Sequence, residues 1–204
     1  TSINLNCQPT TWADNKSSAL SFTFDDGSLN QFKIAMPLLN RRNFKATYYI
    51  ITGYIDSVRN GVTWDTIRKA AGYGHEIASH TVSHAALVDL SYHRNYDSIK
   101  KELLISRNKI DSNVRSQKSM TIAYPWAWHN KVVDSLTTKY YIAGRTAGFF
   151  EDKNPANFFG LTGSIIYPSM TVSDLNTMFD NSKMWGSWVI EIWHGIDYGG
   201  WGAI

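Results

Sequence analysis

Short β-type runs alternate with helical patterns along most of this 204-residue chain, and that cadence restricts its fold more than any other feature. The run at 19–24 (ALSFTF) is apolar and breaks at Asp25-Asp26-Gly27, a turn signal. Positions 31–42 then place Phe32, Ala35, Met36, Leu38 and Leu39 at helical spacing. Residues 46–51 (ATYYII) read as a strand, Thr63 as the cap of a helix running to Ala71, and 75–80 (HEIASH) as the next strand. A long surface helix is predicted over 96–110 from Ile99, Leu103, Ile105 and Ile110. Strands at 119–125, 140–144 and 187–194, with helices over 131–139 and from Asp174, complete the series. This alternation selects an α/β architecture with parallel strands. With no internal repeat, low-complexity stretch or linker, one domain is expected: an extension at 1–18, then the domain itself at 19–204.

In such folds the loops that follow the strands gather at one end, so polar residues at strand C-termini face a common site. Those residues are Asp25 and Asp26, His80 and His84, the turn Tyr124-Pro125-Trp126, Gly144-Arg145, and His194. Adjacent side chains on a strand point to opposite faces, but a turn through Gly27 can swing both Asp25 and Asp26 towards one cavity. Two carboxylates that close repel unless a cation binds one of them. A helix N-cap is the structural alternative for the pair. His80 and His84 stand at i and i+4, which on a helical turn brings two imidazoles within reach of one ion. A strand-end aspartate is the cheapest third ligand. Two histidines and a carboxylate with open positions suit Zn²⁺ or a similar divalent ion.

Charge and cysteine content exclude several other functions. Twenty basic against seventeen acidic residues leave a net charge of +3, too mild to single out nucleic acid as a partner. No stretch has the length and apolarity of a membrane span. Cys7 is the single cysteine, so neither an intrachain disulfide nor a multi-cysteine metal site is available. Aromatic content stands out: six of the eight tryptophans (Trp126, Trp128, Trp185, Trp188, Trp193, Trp201) follow residue 125.

TFDDG at 23–27, HTVSH following GHEIAS, and the histidine that ends IEIWH at 190–194 together resemble the NodB-type polysaccharide deacetylases, carbohydrate esterase family 4. The resemblance spans roughly 19–196 in the family's motif order. It implies a distorted (β/α)₇ barrel with a metal site at the C-terminal ends of the strands. It implies Asp25 as general base, His194 as general acid, and Asp26, His80 and His84 as ligands of a divalent metal, Zn²⁺ before Co²⁺, Ni²⁺ or Mn²⁺. The implied substrate is an acetylated polysaccharide, an N-acetylglucosamine polymer or acetylated xylan. A secreted or periplasmic monomer is expected. Hydrolysis of small cyclic amides, or an inactive carbohydrate-binding relative, are the alternatives.

The chain departs from the pattern in three places. The third motif usually reads Arg-x-Pro-Tyr, and here it reads Ala123-Tyr124-Pro125-Trp126. Arg145 is the candidate replacement for the missing arginine, a rim arginine being the bland alternative, and the Trp126 N–H is the implied oxyanion donor. The Asp–Trp group that tunes the catalytic histidine is not evident, and Asp174 reads as a helix N-cap. Ten residues follow His194, so a closing helix is expected to be absent or very short. Trp126, Trp128 and Trp201 fall near the expected mouth as candidate sugar contacts, with Tyr124 and Pro125 shaping the turn. The remaining late tryptophans read as packing. His129 is a surface histidine or a substrate contact, His75 lies behind the metal, and His93 starts a helix.

Overall fold

The computed structural model describes residues 12–59, 61–149 and 155–196. Seven strands pair in chain order: β1 (Ala19–Asp26), β2 (Ala46–Ile50), β3 (Glu76–Ser79), β4 (Thr121–Ala123), β5 (Ala143–Ala147), β6 (Leu161–Ile165) and β7 (Trp188–Trp193). Every pairing is parallel, and β7 returns to β1 to close a barrel. The longest seam is this last one, where Ala19–Phe24 runs against Trp188–Trp193.

Alternation along the strands sorts side chains between the barrel and its jacket. On β1, Phe24 faces outward into a core with Phe32, Tyr48, Ile50, Ile67 and Ile77, whereas Ser21 and Thr23 line the interior. The jacket is uneven, which is the distortion the resemblance implies. A π-helical turn over Gln31–Ala35 runs into α1 (Met36–Arg41). α2 (Trp64–Gly72) starts at Thr63, whose side chain accepts the Thr66 N–H. α3 (Leu87–Tyr92) and α4 (Tyr96–Asn113) both lie between β3 and β4, followed by α5 (Lys131–Thr137) and α6 (Val172–Trp185). No helix separates β5 from β6 among the described residues.

The structure corrects several local expectations. β5 begins at Ala143, three residues after the expected start at 140, because Tyr141 buries its ring beside α4 and donates its hydroxyl to the Leu103 carbonyl. Arg145 is consequently a mid-strand residue facing the barrel interior, level with Ala123 of β4. On α4 the buried stripe is Ile99, Leu103, Ser106 and Ile110, and Ile105 is exposed. Asp174 is not the N-cap of α6. Thr171 is, and Asp174 completes a capping box from three residues on. His93 ends α3 and does not start a helix. His75 packs its ring edge against Tyr48 and accepts the Ala46 N–H, at the opposite end of β3 from His80. Of the late tryptophans, Trp188 and Trp193 are half-buried, but Trp185 is exposed.

Candidate active site

Parallel pairing brings the strand C-termini to one rim, and the residues expected to converge do so there. A cavity of about 480 Å³ is lined by Asp25, Asp26, His80, His84, Trp126, Trp128, Arg145 and His194, among others. β1 ends by bending through two left-handed residues, Asp26 (φ 71°) and Gly27 (φ 69°). That bend turns the Asp26 carboxylate back towards the rim while Asp25 stays buried inside the barrel. Left-handed geometry costs an aspartate more than a glycine, so the bend is held by its surroundings.

The metal-type cluster is Asp26, His80 and His84, whose candidate donor atoms all lie within 4.8 Å of one another. Asp26 Oδ1 is 3.5 Å from His80 Nε2 and 3.8 Å from His84 Nε2. An ion bound at about 2.0–2.1 Å in tetrahedral geometry needs donors about 3.3 Å apart, so the spacing fits. The tautomer fits as well. His80 Nδ1 donates to the Ala123 carbonyl at 2.8 Å, which leaves the Nε2 lone pair facing Asp26. Burial and then the neighbouring His80 hold the His84 imidazole below its ordinary pKa, which favours the neutral, ligating form.

The two imidazoles do not meet on a helical turn, as their i, i+4 spacing suggests. Residues 80–86 form an irregular loop with left-handed Thr81 (φ 66°) and His84 (φ 61°). Two features hold it. Glu102 on α4 accepts the N–H groups of Val82 and Ser83 through Oε2, at 2.8 and 2.9 Å, and the Ser83 hydroxyl through Oε1. Gly53 donates its N–H to the Val82 carbonyl, in an approach so close that a Cβ there would stand 2.5 Å from that oxygen.

Asp25 is 3% exposed, and polar groups approach both of its carboxylate oxygens. Arg145 Nη2 donates to Oδ1, and both partners are buried. Oδ2 lies 4.0 Å from His80 Nε2 and 3.9 Å from His194 Nε2. Burial alone would raise the carboxyl pKa. The Arg145 charge and its hydrogen bond outweigh it and hold Asp25 below the usual carboxylate range. Arg145 is therefore no rim residue: it reaches Asp25 from β5.

Gln31, absent from the sequence-based site, ties the two ends together. Fully buried on the π-helical turn, it donates through Nε2 to the carbonyls of Asp25 and His194, both at 2.6 Å. A lone glutamine in an amphipathic pattern gives no sequence signal for this.

The third-motif turn divides its residues. Tyr124 is 1% exposed, its ring packed with Leu87 and Val133 and stacked on His129, and Pro125 is buried. These two shape the turn and expose little surface to a substrate. Trp126 and Trp128 are 59% and 53% exposed, their ring centroids 6.3 Å apart at the mouth. His129 is half-buried and paired with Asp134 at 3.0 Å. Trp201 lies outside the described residues.

A family model described as polysaccharide deacetylase matches residues 13–143. Among curated proteins, a gellan lyase from a Bacillus species is 30% identical over 151 residues, which is 72% of this chain and 5% of the lyase. A Bacillus subtilis protein named for polysaccharide deacetylation, YxkH, is 29% identical over 109 residues, or 53% of this chain and 37% of that protein. The chain thus spans well under half the length of either curated relative. The structure of the Streptococcus pyogenes deacetylase PplD in complex with acetate superposes with a TM-score of 0.69 at 25% identity, covering 78% of this chain and 69% of that one. BC0361, a polysaccharide deacetylase from Bacillus cereus, shares the fold with a TM-score of 0.65 at 24% identity, over 76% of this chain and 49% of that one.

Proposed function

The chain belongs to the polysaccharide deacetylase family, and from that premise we propose that it removes acetyl groups from an acetylated polysaccharide by metal-dependent hydrolysis. The observation that carries this reading is the position of Asp25, buried between Arg145, His80 and His194 and next to a preorganised Asp–His–His cluster.

Asp26, His80 and His84 would hold a divalent ion, which when bound supplies Lewis acidity for the acetyl carbonyl and for the attacking water. The donor set suits zinc best, with cobalt, nickel and manganese as competitors. Asp25, ionised at neutral pH, takes the proton from the water as attack begins. Arg145 fixes the carboxylate's orientation, in the role of the arginine missing from the third motif. The Trp126 N–H donates to the developing oxyanion; the next two N–H groups of the turn are already bonded to the Tyr124 and Pro125 carbonyls. His194, just past β7 with its Nε2 3.9 Å from Asp25 Oδ2, gives a proton to the leaving oxygen or nitrogen as its bond to the acetyl carbon breaks.

The mouth supports a polymeric substrate. Two tryptophans exposed at an open rim offer stacking faces to a sugar chain, which favours a polymer over a small cyclic amide. An N-acetylglucosamine polymer and acetylated xylan both fit. Such polymers are extracellular, so a secreted or periplasmic location belongs to the same proposal, as does a monomer comprising an extension at 1–18 and a catalytic domain at 19–204.

The test is acetate release from chitooligosaccharides, peptidoglycan and acetylated xylan, with and without a chelator. Chelator-sensitive release from at least one is expected, and none from any would overturn the reading. Asp26→Ala and His80→Ala should each abolish metal retention, checked by elemental analysis of the purified protein. Full occupancy in either variant would refute the ligand set.

A further inference from the structure

We infer that Tyr49 is a positioning residue for the reaction, its ring being the surface that holds the Arg145 guanidinium against Asp25. Strand register places Asp25 and Tyr49 side by side on β1 and β2, both buried. From β5, Arg145 reaches across so that its Cζ stands 5.1 Å from the Tyr49 ring centroid while Nη2 donates to Asp25. That separation is within cation–π range. The Arg145 Nε–H is buried with no hydrogen-bond acceptor. Hydrogen bonding therefore fixes the guanidinium through Nη2 and leaves Nε unanchored, and the aromatic face restrains the plane.

The need for such a restraint is visible below the site. A second cavity of about 490 Å³ occupies the opposite end of the barrel, and Arg145 and Tyr49 both line it. Arg145 is thus a wall shared by two cavities, with open space on the side away from Asp25. Without the Tyr49 ring the guanidinium could turn into that space and release the carboxylate.

Tyr49 is itself braced from beneath. Its hydroxyl lies 3.4 Å from Thr121 Oγ1, which donates to Glu76 Oε1 at 2.9 Å, while Thr47 donates to Glu76 Oε2 at 2.7 Å. Burial raises the Tyr49 hydroxyl pKa well above its ordinary value, so the ring stays neutral wherever the enzyme is assayed.

The inference rests on Asp25 as the base, and its test separates the two. With zinc-loaded protein and 4-nitrophenyl acetate as probe, Tyr49→Leu should lower kcat about tenfold and leave KM within about twofold. Tyr49→Phe, which keeps the aromatic face, should retain kcat to within about twofold. In an Arg145→Met background, Tyr49→Leu should have almost no further effect, because its route to the reaction is gone. Equal losses in both backgrounds, or a Phe variant as damaged as the Leu variant, would overturn the inference.

A second readout needs neither turnover nor a foldable Leu variant. In ¹⁵N-labelled metal-free protein, the Arg145 Nε–H signal, assigned by its loss in Arg145→Met, should be shifted upfield by the Tyr49 ring. It should remain so in Tyr49→Phe. An unshifted signal in the parent protein would overturn the inference directly. A shifted signal in a protein that releases no acetate would uphold the geometry and sink the proposed function instead.

Discussion

Asp25 sits where burial and neighbouring charge pull its acidity in opposite directions, and charge wins. In the proposed reaction the base must be unprotonated to act, and the low pKa keeps Asp25 in that form throughout neutral pH. Removing the strongest of those charges should move the group back up. In Arg145→Met the acidic limb of the kcat/KM profile should shift to higher pH, because the carboxylate loses the positive charge that most lowers its pKa. A limb in the same place would mean that Arg145 does not set the base. His194 is tested by leaving group. An amine departs from a tetrahedral intermediate less readily than an alkoxide, so the acid matters more for N-acetyl substrates. His194→Ala should therefore depress N-deacetylation more than O-deacetylation, read as acetate release from chitooligosaccharides and from acetylated xylan. Comparable losses on both would remove the acid assignment.

Elements carry the site through supports that a local pattern does not reveal. The loop from His80 to His84 owes its shape to α4, where Glu102 accepts three hydrogen bonds from Val82 and Ser83. Ser106, one turn further along, donates to the Thr81 carbonyl. Glu102→Ala leaves all three metal-type donors in place but frees the loop between two of them. Zinc affinity should fall about tenfold, measured by competition with a chromogenic chelator, while the ligand set stays intact. Unchanged affinity would show that the loop holds itself. This is also where the sequence stops being informative. The strands bearing long apolar or aromatic runs, 19–24, 46–51 and 187–194, are legible because their periodicity and flanking turns agree. β6 is not: Leu161-Thr162-Gly163-Ser164-Ile165 has a weak pattern, and its pairing comes from β5 and β7. β5 has the reverse problem, since aromatic Tyr140 and Tyr141 look strand-like but precede the strand, which consists of Ala-Gly-Arg-Thr-Ala. The strand-end acids and histidines could be read because their chemistry is rare and clustered. Gln31, Glu102 and Tyr49 could not, because the partners that give them a role lie on other elements, and no local pattern marks them.

At the scale of the whole molecule, the barrel closes on a seam that contains a charge problem. Glu191 on β7 is fully buried beside β1; its backbone carbonyl accepts the Thr23 hydroxyl, and Trp193 Nε1 donates to Oε2 at 2.8 Å. Burial pushes its carboxyl pKa up from 4.5 to about 7, against the opposing effect of the Trp193 bond. The folded state thus binds this proton more tightly than the unfolded chain. Its contribution to stability is complete below pH 4.5 and is lost as pH rises through about 7. The shift corresponds to at most about 3 kcal/mol. His75 works in the opposite direction over nearly the same window. Burial, then the charge of Lys45, hold its imidazole at about 4, so stability falls as pH drops from 6.5 towards that value. The two largely offset, and the parent protein's own melting profile will hide both. The measurable quantity is the difference between Glu191→Gln and the parent. Glutamine keeps an acceptor for Trp193 but has no charge to bury, so the variant's relative Tm should rise steadily from pH 4.5 to pH 8. The total rise should be several degrees, since about 1 kcal/mol moves Tm by about 2–4 °C in a domain this size. A difference that stays constant across this pH range would mean that the Glu191 pKa is not raised by the fold, and would overturn the assignment.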